Sequence, residues 1–194
     1  MGAVCGSTFF DPWRARACEG LRGDVVEIGF GSGANLAHLP EEVHTVHAVE
    51  PTNAAWRLAA ANVARSTTDV VVIEARAETL PLPDQSMDGA LCTFTLCTVA
   101  RADDVLAEVL RVLKPGAPLH FLEHGVSPDA RIARWQRRLN GYERLLAGGC
   151  NLDRDPLQLV RDASFELEWS QQQYARIHSP WSYFTLGVAR RPRR

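Results

Sequence analysis

Short apolar runs, separated by glycines, prolines and polar residues, recur along the chain. Runs of about four to eight residues rich in β-branched side chains are typical of strands buried in a sheet. The pattern predicts five strands in the first two thirds of the chain, at residues 24–31, 44–50, 70–75, 87–92 and 118–123. Two more are predicted near its end, at residues 165–172 and 183–190.

Between these strands lie segments whose apolar residues recur at helical spacing. The clearest runs from Asp103 to Leu113 and ends at Lys114-Pro-Gly116, because proline and glycine follow the last turn of many helices. Further helices are predicted at residues 34–39, 53–65, 131–146 and 155–163, with Asn53 and Asp155 as N-caps. Alternating strands and helices predict a parallel sheet covered on both faces.

Only a loop connects the last two predicted strands. A parallel connection needs about a dozen residues or more, so we expect this pair to be antiparallel. The predicted fold is α/β and Rossmann-like: a doubly wound, mostly parallel, seven-stranded sheet with an antiparallel C-terminal hairpin. We expect a single domain over residues 24–194, preceded by a short N-terminal segment over residues 1–23.

The composition of the 194 residues is that of one ordinary globular domain, with 46% hydrophobic and 23% charged residues. The formal net charge of −2 argues against a dedicated nucleic-acid-binding protein, which normally carries a basic excess. The longest apolar stretch, at residues 89–100, is too short to cross a bilayer. No secretory signal precedes the cysteines, so we expect a cytoplasmic protein with reduced thiols.

The five cysteines are irregularly spaced and form no CxxC pair or Cys/His cluster. Structural zinc sites need such a grouping, so we predict no metal site. A cysteine nucleophile is not expected either, because no neighbouring motif would lower the pKa of a thiol.

Basic residues are concentrated in the helix predicted at residues 131–146. Within residues 131–144, arginines are interleaved with Ile132, Trp135 and Leu139; these arginines include Arg131, Arg134, Arg137 and Arg138. A basic amphipathic helix is able to contact anionic lipid or an acidic substrate. The alternative is a solvated charged face over a stripe packed on the core. We expect at most a weak membrane-surface contact here, and the oligomeric state stays open.

The loop after the first strand, EIGFGSG at residues 27–33, combines an acidic residue with three glycines at alternate positions. Glycines allow the backbone to turn sharply and to approach a ligand closely. Gly29, Gly31 and Ala34 also satisfy the G-x-G-x-x-G/A pattern of dinucleotide-binding proteins. The loop by itself therefore predicts a nucleotide-containing cofactor without deciding its class.

Two acidic residues bear on that choice. Glu27 lies within the strand, two residues before the first glycine, where it would orient an ammonium group and repel a pyrophosphate. The helix after the loop is short, so it offers only a weak site for an anion. Glu50 ends the second strand, where a carboxylate accepts hydrogen bonds from the ribose hydroxyls of either cofactor.

Several segments in register resemble the class I S-adenosylmethionine (SAM)-dependent methyltransferases: EIGFGSG, the Glu50 end of the second strand, ARAETLPLPDQSMD at residues 75–88 and LAEVLRVLKPGA at residues 106–117. Other segments are similar to the methyltransferase-like alkyl thiol methyltransferases and their bacterial relatives: CTFTLCTV at residues 92–99, FLEH at residues 121–124 and GGCNLDRD at residues 148–155. The resemblance covers nearly all of the chain beyond residue 23. It implies the methyltransferase variant of the Rossmann topology, which ends in an antiparallel pair.

The resemblance also implies a SAM site at the matching positions. These are Glu27, Gly29, Gly31 and Gly33 in the loop, Glu50 at the ribose, Ala77 and Glu78 at the adenine, and Thr93 and Phe94 at the methionine. The animal thiol methyltransferases carry an N-terminal anchor helix, and most relatives have a helical lid before the first strand. Residues 1–23 match neither, so we expect a reduced lid and do not transfer membrane anchoring to this chain.

Methyl transfer from a sulfonium depends mainly on positioning, with the nucleophile about 3–3.5 Å from the methyl carbon. A thiol or an amine needs little help from a base, whereas a hydroxyl or a carbon acid needs more. His124 follows the fifth strand at its carboxyl edge and is the predicted catalytic residue, with Glu123 beside it to relay the substrate proton. The alternative is that His124 bonds the backbone at the strand end.

Cys97 and Asn151 are predicted to line the acceptor pocket, although a small buried side chain and a turn after a helix are alternatives for them. The predicted function is SAM-dependent methyl transfer to a small-molecule acceptor, with a thiol favoured by the resemblance. A lipid amine or a quinone-type ring carbon is the alternative acceptor. An NAD(P)-dependent oxidoreductase and a non-catalytic cofactor-binding protein are alternatives from other classes; Glu27 and the terminal hairpin argue against the oxidoreductase.

Overall fold

A computed structural model describes residues 7–146 and 149–193. The start of the predicted N-terminal segment, including Cys5, lies outside these ranges, as do Gly148 at the head of the 148–155 segment and Arg194. The structure confirms the predicted seven-stranded sheet, with the strands, numbered in chain order, arranged as β3-β2-β1-β4-β5-β7-β6. Its strands are β1 (Gly23–Ile28), β2 (Val43–Val49), β3 (Asp69–Ile73), β4 (Gly89–Thr93), β5 (Pro118–His124), β6 (Glu166–Tyr174) and β7 (Tyr183–Arg190).

The first five strands are parallel, and β7 pairs antiparallel with both β5 and β6, as predicted. The most continuously apolar strands lie at the centre: every residue of β4 is buried. β3 lies at one edge and leaves Val71 and Val72 half exposed. β4 begins at Gly89 rather than at the predicted Met87, which forms an isolated bridge instead.

Five α-helices flank the sheet within the described ranges: α1 (Asp11–Cys18), α2 (Asn53–Val63), α3 (Ala102–Val112), α4 (Ala130–Leu146) and α5 (Pro156–Asp162). The predicted helix at residues 34–39 is only a 3₁₀ turn at Leu36–His38, because Pro40 follows it closely. The prediction of Asn53 as an N-cap is wrong, since Thr52 occupies that position. Asp155 caps α5 as predicted, and its carboxylate accepts hydrogen bonds from two backbone N–H groups.

The helices cover both faces of the sheet and enclose two apolar cores. The first surrounds Val26 and Phe121 and includes the buried faces of α3 and α5. The second surrounds Val25 and Leu122 and includes the buried residues of α1 and α2. Neighbouring strand residues belong to opposite cores because successive side chains alternate between the two faces.

Helix α1 lies within the N-terminal segment, for which the sequence predicts no element. Pro12 stands in its first turn, where the missing N–H is harmless. Its buried side chains are Arg14, Ala17 and Cys18, so no apolar stripe indicates the helix in the sequence. His120 on β5 holds it in place, with Nδ1 at 2.8 Å from the carbonyl oxygen of Ala17.

Candidate active site

The glycine-rich loop lies at the carboxyl edge of the parallel strands, where open α/β sheets bind their ligands. Gly29, Gly31 and Gly33 have positive φ angles of 72°, 57° and 68°, which favour glycine. A side chain on Gly29 would clash with the hydroxyl of Thr95. Among the described residues, the nearest atom to a Cβ on Gly31 would be the backbone oxygen of Gly29, at 3.7 Å. The loop is therefore packed against the end of β4 at its start and open at Gly31.

Glu27 precedes this loop on β1 and is only 1% exposed. Asn35 Nδ2 donates a hydrogen bond of 2.7 Å to its Oε1. The other oxygen, Oε2, is buried and has no hydrogen-bond partner in the described part of the chain. Burial raises the pKa of Glu27 to about 7, against the lowering effects of the Asn35 amide and the Arg14 guanidinium. One carboxylate oxygen thus remains to meet a cationic ligand group.

Arg14 brings a buried positive charge from α1 to the same place. Its Nη1 donates to Oδ1 of Asn35 at 2.6 Å and to Oγ1 of Thr93 at 3.2 Å. Asn35 Nδ2 also donates to Thr93 Oγ1, at 3.0 Å. We call Glu27, Asn35, Thr93 and Arg14 the polar network. Sequence reasoning missed Arg14 and Asn35; the place of Asn35 just after the glycines was a signal that could have found it.

Glu50 directly follows β2 and fastens the glycine loop to that strand. Its Oε2 accepts a hydrogen bond of 3.2 Å from the N–H of Gly31. Its Oε1 accepts from the N–H and the hydroxyl of Thr52, at 3.0 and 2.6 Å. These bonds use three of the about four acceptor positions of a carboxylate, which leaves one for a ribose hydroxyl.

Ala77 and Glu78 lie in the turn after β3, at the same edge of the sheet. Ala77 is buried, and Glu78 Oε1 is 3.4 Å from Nη2 of Arg76. Burial opposes ionisation of Glu78, but hydrogen bonds from its own backbone and from Arg76 lower its pKa below the ordinary value. A charged carboxylate therefore stands where the resemblance places the adenine.

An aromatic wall, formed by Phe9, Phe10, Phe94 and Phe184, adjoins the polar network. Phe94 directly follows β4 with a left-handed φ of 56°, and its N–H donates to the carbonyl of Leu122 at 2.8 Å. The ring centre of Phe94 lies 4.9 Å from that of Phe10 and 5.8 Å from that of Phe184. Such a backbone conformation costs about 1–3 kcal/mol in a non-glycine residue and is concentrated at functional sites.

Glu123 and His124 end β5 and point to opposite faces of the sheet. The buried carboxylate of Glu123 accepts hydrogen bonds from the backbone N–H groups of Thr95, Leu96 and Cys97, at 2.9, 2.9 and 3.0 Å. Burial raises the pKa of Glu123, although these three donors favour the carboxylate. The predicted proton relay between His124 and Glu123 is therefore wrong, because consecutive side chains on a strand alternate in direction.

His124 lies on the face that carries the aromatic wall and is 4% exposed. Its Nε2 is 3.0 Å from the carbonyl oxygen of Pro180, and its ring packs edge-on against Phe184, with 5.5 Å between ring centres. Nδ1 is buried without a hydrogen-bond partner among residues 7–146 and 149–193. Burial lowers the pKa of His124 to about 4, which outweighs the contact with Pro180. The imidazole is therefore neutral near pH 7.

Cys97 and Asn151 are in direct contact. The N–H and the side-chain Nδ2 of Asn151 both donate to the carbonyl oxygen of Cys97, at 2.7 and 3.0 Å. The side chain of Cys97 packs with Cys150 and Leu152 in a small separate core. Contact with Cys150 and burial raise the pKa of Cys97 well above its ordinary value, so the thiol stays protonated. These contacts join the loop after β4 to the segment after α4.

A second cleft, of about 770 Å³, opens at the amino edge of the sheet. Its polar lining includes the ion pair of Lys114 with Asp88, at 2.6 Å. Charges paired in this way need no ligand. Two of the buried polar atoms that lack a hydrogen-bond partner within the described residues, Glu27 Oε2 and His124 Nδ1, belong to the carboxyl edge, where we place the candidate site.

The chain is similar to known methyltransferases. A family model described as a methyltransferase domain matches residues 26–121. Thiol S-methyltransferase TMT1B of Rattus norvegicus is 36% identical over 152 residues, which are 75% of this chain and 62% of the relative. Thiol S-methyltransferase TMT1A of Homo sapiens is 30% identical over 164 residues, which are 82% of this chain and 65% of the relative. The chain belongs to the class I SAM-dependent methyltransferases.

The chain spans just under two thirds of the length of those two relatives. UbiE of Azotobacter vinelandii, a ubiquinone/menaquinone biosynthesis C-methyltransferase, is 39% identical over 66 residues, 34% of this chain and 26% of that relative. The solved structure of the cyclase SpnF matches with a TM-score of 0.75 at 19% identity and covers 94% of this chain and 80% of its own. Geranyl diphosphate methyltransferase in complex with SAM matches with a TM-score of 0.71 at 13% identity, over 98% of this chain and 85% of its own. At these identities the two structures show the fold alone.

The residues of the candidate site fit SAM, the cofactor of this family. SAM carries an ammonium group, a carboxylate and ribose hydroxyls, all of which need polar partners. The buried Oε2 of Glu27 suits the ammonium group, the open backbone at Gly31 permits close approach, and Glu50 keeps one acceptor for a hydroxyl. A dinucleotide would place a pyrophosphate beside the Glu27 carboxylate, which is unfavourable.

Proposed function

We propose that this methyltransferase transfers the methyl group of SAM to a small-molecule thiol. The observation that carries the proposal is the direct junction of the polar network with the aromatic wall. Thr93 belongs to the network and its neighbour Phe94 to the wall. A charged region for the amino-acid end of the cofactor thus adjoins an apolar region for the acceptor. The two relatives compared above are named thiol S-methyltransferases.

In this proposal, the residues at the carboxyl edge hold the cofactor by its polar groups. Glu27 accepts the ammonium group, the backbone at Gly31 approaches the ligand, and Glu50 accepts from the ribose. Ala77 and Glu78 meet the adenine. When bound, SAM supplies a methyl group attached to a positively charged sulfur.

The main task of the protein is then to position the acceptor. Correct orientation of two reacting groups is worth up to about 7–11 kcal/mol of the barrier. The rings of Phe10, Phe94 and Phe184 contact one another edge to face, which gives the acceptor a fixed and apolar wall. Burying an unpaired polar group beside such a wall is costly, whereas a thiol is only weakly hydrated and loses little.

The test is a methylation assay with isotope-labelled SAM and a panel of aliphatic thiols, amines and phenols. We expect transfer to thiols, thermal stabilisation by S-adenosylhomocysteine and none by NAD(P). Transfer to amines or ring carbons alone would overturn the thiol proposal. Stabilisation by NAD(P) alone would favour the oxidoreductase, and tight S-adenosylhomocysteine binding without transfer to any acceptor would favour a non-catalytic protein.

A quinone-type ring carbon is the second candidate acceptor. The similarity to UbiE supports it, but that similarity extends over only 34% of this chain. A carbon acid needs more help from a base than a thiol does. His124, whose pKa is lowered to about 4, is a weak base, so the site favours the thiol. A hydroquinone added to the panel tests this alternative directly.

We further propose that the protein is cytoplasmic and touches an anionic membrane surface through α4. Trp135 and Tyr142 are 54% and 70% exposed on this helix. Its exposed arginines include Arg131, Arg134, Arg137 and Arg138. Its buried side chains include Ala133 and Gln136, so Trp135 is not part of the core-packed stripe that the sequence offered as an alternative. Basic helices with exposed aromatic side chains bind lipid headgroups.

Vesicle cosedimentation tests this surface. No helix within the described ranges is long and apolar enough to cross a membrane. We expect binding to vesicles that contain phosphatidylserine and not to pure phosphatidylcholine, with loss at high salt. Trp135→Glu should weaken binding, whereas Leu58→Glu, on the exposed side of α2, should not. Equal binding to both kinds of vesicle, or none at low salt, would contradict the proposal.

A further inference from the structure

The tautomer of His124 is set by a backbone carbonyl. A carbonyl oxygen only accepts hydrogen bonds, so Nε2, at 3.0 Å from Pro180 O, carries the hydrogen of the neutral ring. Gln136 Nε2 donates to the same oxygen at 3.0 Å and to the carbonyl of Gly125 at 3.1 Å. These bonds hold the loop between β6 and β7, which contains Pro180, in place. The neutral ring therefore presents a lone pair at Nδ1.

This lone pair has no partner in the part of the chain that the structure describes. The atom is buried, and the residue as a whole is 4% exposed. Buried acceptors are nearly always hydrogen-bonded in folded proteins, so an unpartnered acceptor beside a candidate site is a place where a ligand is able to supply the donor. The ring stays neutral near pH 7 because burial lowers the pKa of His124. It is thus ready to accept a hydrogen bond.

His124 lies on the acceptor side of the site. The ring of His124 packs against Phe184, with 5.5 Å between centres, and Phe184 packs against Phe94 at 5.8 Å. Leu122 of β5 pairs in register with Thr93 of β4. His124 therefore lies on β5, level with a position two residues beyond the end of β4. Thr93, the last residue of β4, belongs to the polar network, and the aromatic wall begins at its neighbour Phe94.

We propose that His124 Nδ1 accepts a hydrogen bond from the S–H group of the acceptor and takes up its proton during methyl transfer. This role rests on the thiol function proposed above. The acceptor sulfur forms a new S–C bond with a lone pair as the methyl group leaves the cofactor sulfur, which keeps the bonding electrons. The S–H bond breaks with its electrons on the acceptor sulfur, and the proton passes to Nδ1. The imidazolium, still bonded to Pro180 through Nε2–H, releases the proton to water after the methyl thioether leaves.

Two substitutions of His124 distinguish the roles of its two ring nitrogen atoms. In His124→Gln, an amide N–H is still able to donate to Pro180, while the acceptor at Nδ1 is lost. In His124→Asn, a side-chain oxygen takes approximately the place of Nδ1, while the donor to Pro180 is lost. His178→Gln is the matched control, because His178 lies in the same loop, exposed and stacked on Tyr174.

Calorimetry is the first measurement, with an aliphatic thiol and its S-methyl thioether titrated into protein saturated with S-adenosylhomocysteine. The thiol offers a donor to Nδ1 and the thioether offers none. We expect His124→Gln to reduce the preference for the thiol over the thioether by about fivefold, the effect of one modest hydrogen bond. The affinity for S-adenosylhomocysteine should not change, and His124→Asn and His178→Gln should keep most of the preference. An unchanged preference in His124→Gln would overturn the inference.

Nitrogen-15 spectra of the histidine rings in the unmodified protein are the second measurement. We expect the Nε2–H tautomer for His124, and the Nδ1–H tautomer would overturn the inference even if a variant failed to fold. The kcat for the thiol should fall about tenfold in His124→Gln, less than is usual for general base catalysis, because a thiol needs little help from a base. If His124→Gln methylates thiols at the wild-type rate, the proposed role of His124 is overturned but the thiol function stands. If the protein binds no thiol and methylates only amines, the thiol function itself is overturned.

Discussion

A glutamine at position 27 would keep the shape of Glu27 and its hydrogen bond from Asn35 while removing the buried negative charge. The pKa of Glu27 is raised from the ordinary 4.5 to about 7, mainly by burial. Because the folded-state pKa lies above the unfolded one, folding favours the protonated acid. This contribution to stability is complete below about pH 4.5 and is lost as the pH rises through 7. The two pKa values correspond to a loss of about 3 kcal/mol.

We therefore expect Glu27→Gln to be more stable than the wild type at pH 8 and nearly equal at pH 5. Urea unfolding of the cofactor-free proteins at pH 5 to 8 measures the difference, which should reach about 3 kcal/mol. The melting temperature should rise by about 6–12 °C at pH 8 for a domain of this size. The affinity for S-adenosylhomocysteine should fall about 10- to 100-fold, because a charge-assisted hydrogen bond to the ammonium group is lost.

Glu168→Gln is the matched control for this experiment. Glu168 is 44% exposed and paired with Arg190 at the edge of the sheet, so the change should alter stability by less than about 1 kcal/mol at any pH. Equal pH dependence in Glu27→Gln and the wild type would refute burial as the cause of the raised pKa. Unchanged affinity for S-adenosylhomocysteine would refute contact between Glu27 and the ammonium group.

Three further substitutions test other parts of the site. Gly29→Ala places a methyl group against the hydroxyl of Thr95, just after β4, and should abolish S-adenosylhomocysteine binding in calorimetry. Gly20→Ala is its control, because φ is also positive there but no atom of the described residues lies within 4 Å; it should cost about 1–2 kcal/mol of stability and leave binding intact. Glu123→Leu leaves three buried N–H groups without an acceptor. The free energy of unfolding, measured in urea, should fall by about 3–5 kcal/mol, and a loss below about 1 kcal/mol would contradict this expectation. Arg14→Leu removes the guanidinium from the polar network and should weaken S-adenosylhomocysteine binding at least about tenfold. Arg16→Leu, at an exposed position of the same helix, is the control. An equal loss of affinity in Arg16→Leu would show that binding depends on the integrity of α1 and not on the Arg14 guanidinium.

The strands were predictable because a sheet covered on both faces demands continuous apolar runs. The run at residues 70–73 correctly marks β3, yet nothing in it indicates that β3 is an edge strand with Val71 and Val72 half exposed. Edge positions follow from the order of strands, which is a property of the whole sheet. The N-cap at Thr52 rather than Asn53 is a difference of one residue, decided by where the chain leaves β2.

Helix α1 was not predictable from periodicity, because its buried side includes a charge. The partners of the buried Arg14 include Asn35 and Thr93, which are 21 and 79 residues away in the sequence. A buried guanidinium is stable when its donors are satisfied, and no local pattern records partners so distant. The glycine loop and Glu27, by contrast, lie in one contiguous motif whose spacing is itself the signal.

At the end of β5, side chains alternate between the two faces of the sheet, so the neighbouring residues Glu123 and His124 have different roles. Glu123 faces the core of α3 and α5 and binds the N–H groups of the loop that starts after Phe94. His124 faces the aromatic wall, and its Nδ1 is the atom that we propose as the acceptor for the thiol S–H group. The left-handed backbone of Phe94 is thus constrained by a hydrogen bond to Leu122 and by the carboxylate that holds the next three residues. Because β5 supplies both constraints on Phe94 and also carries His124, this strand sets the position of Phe94 relative to His124.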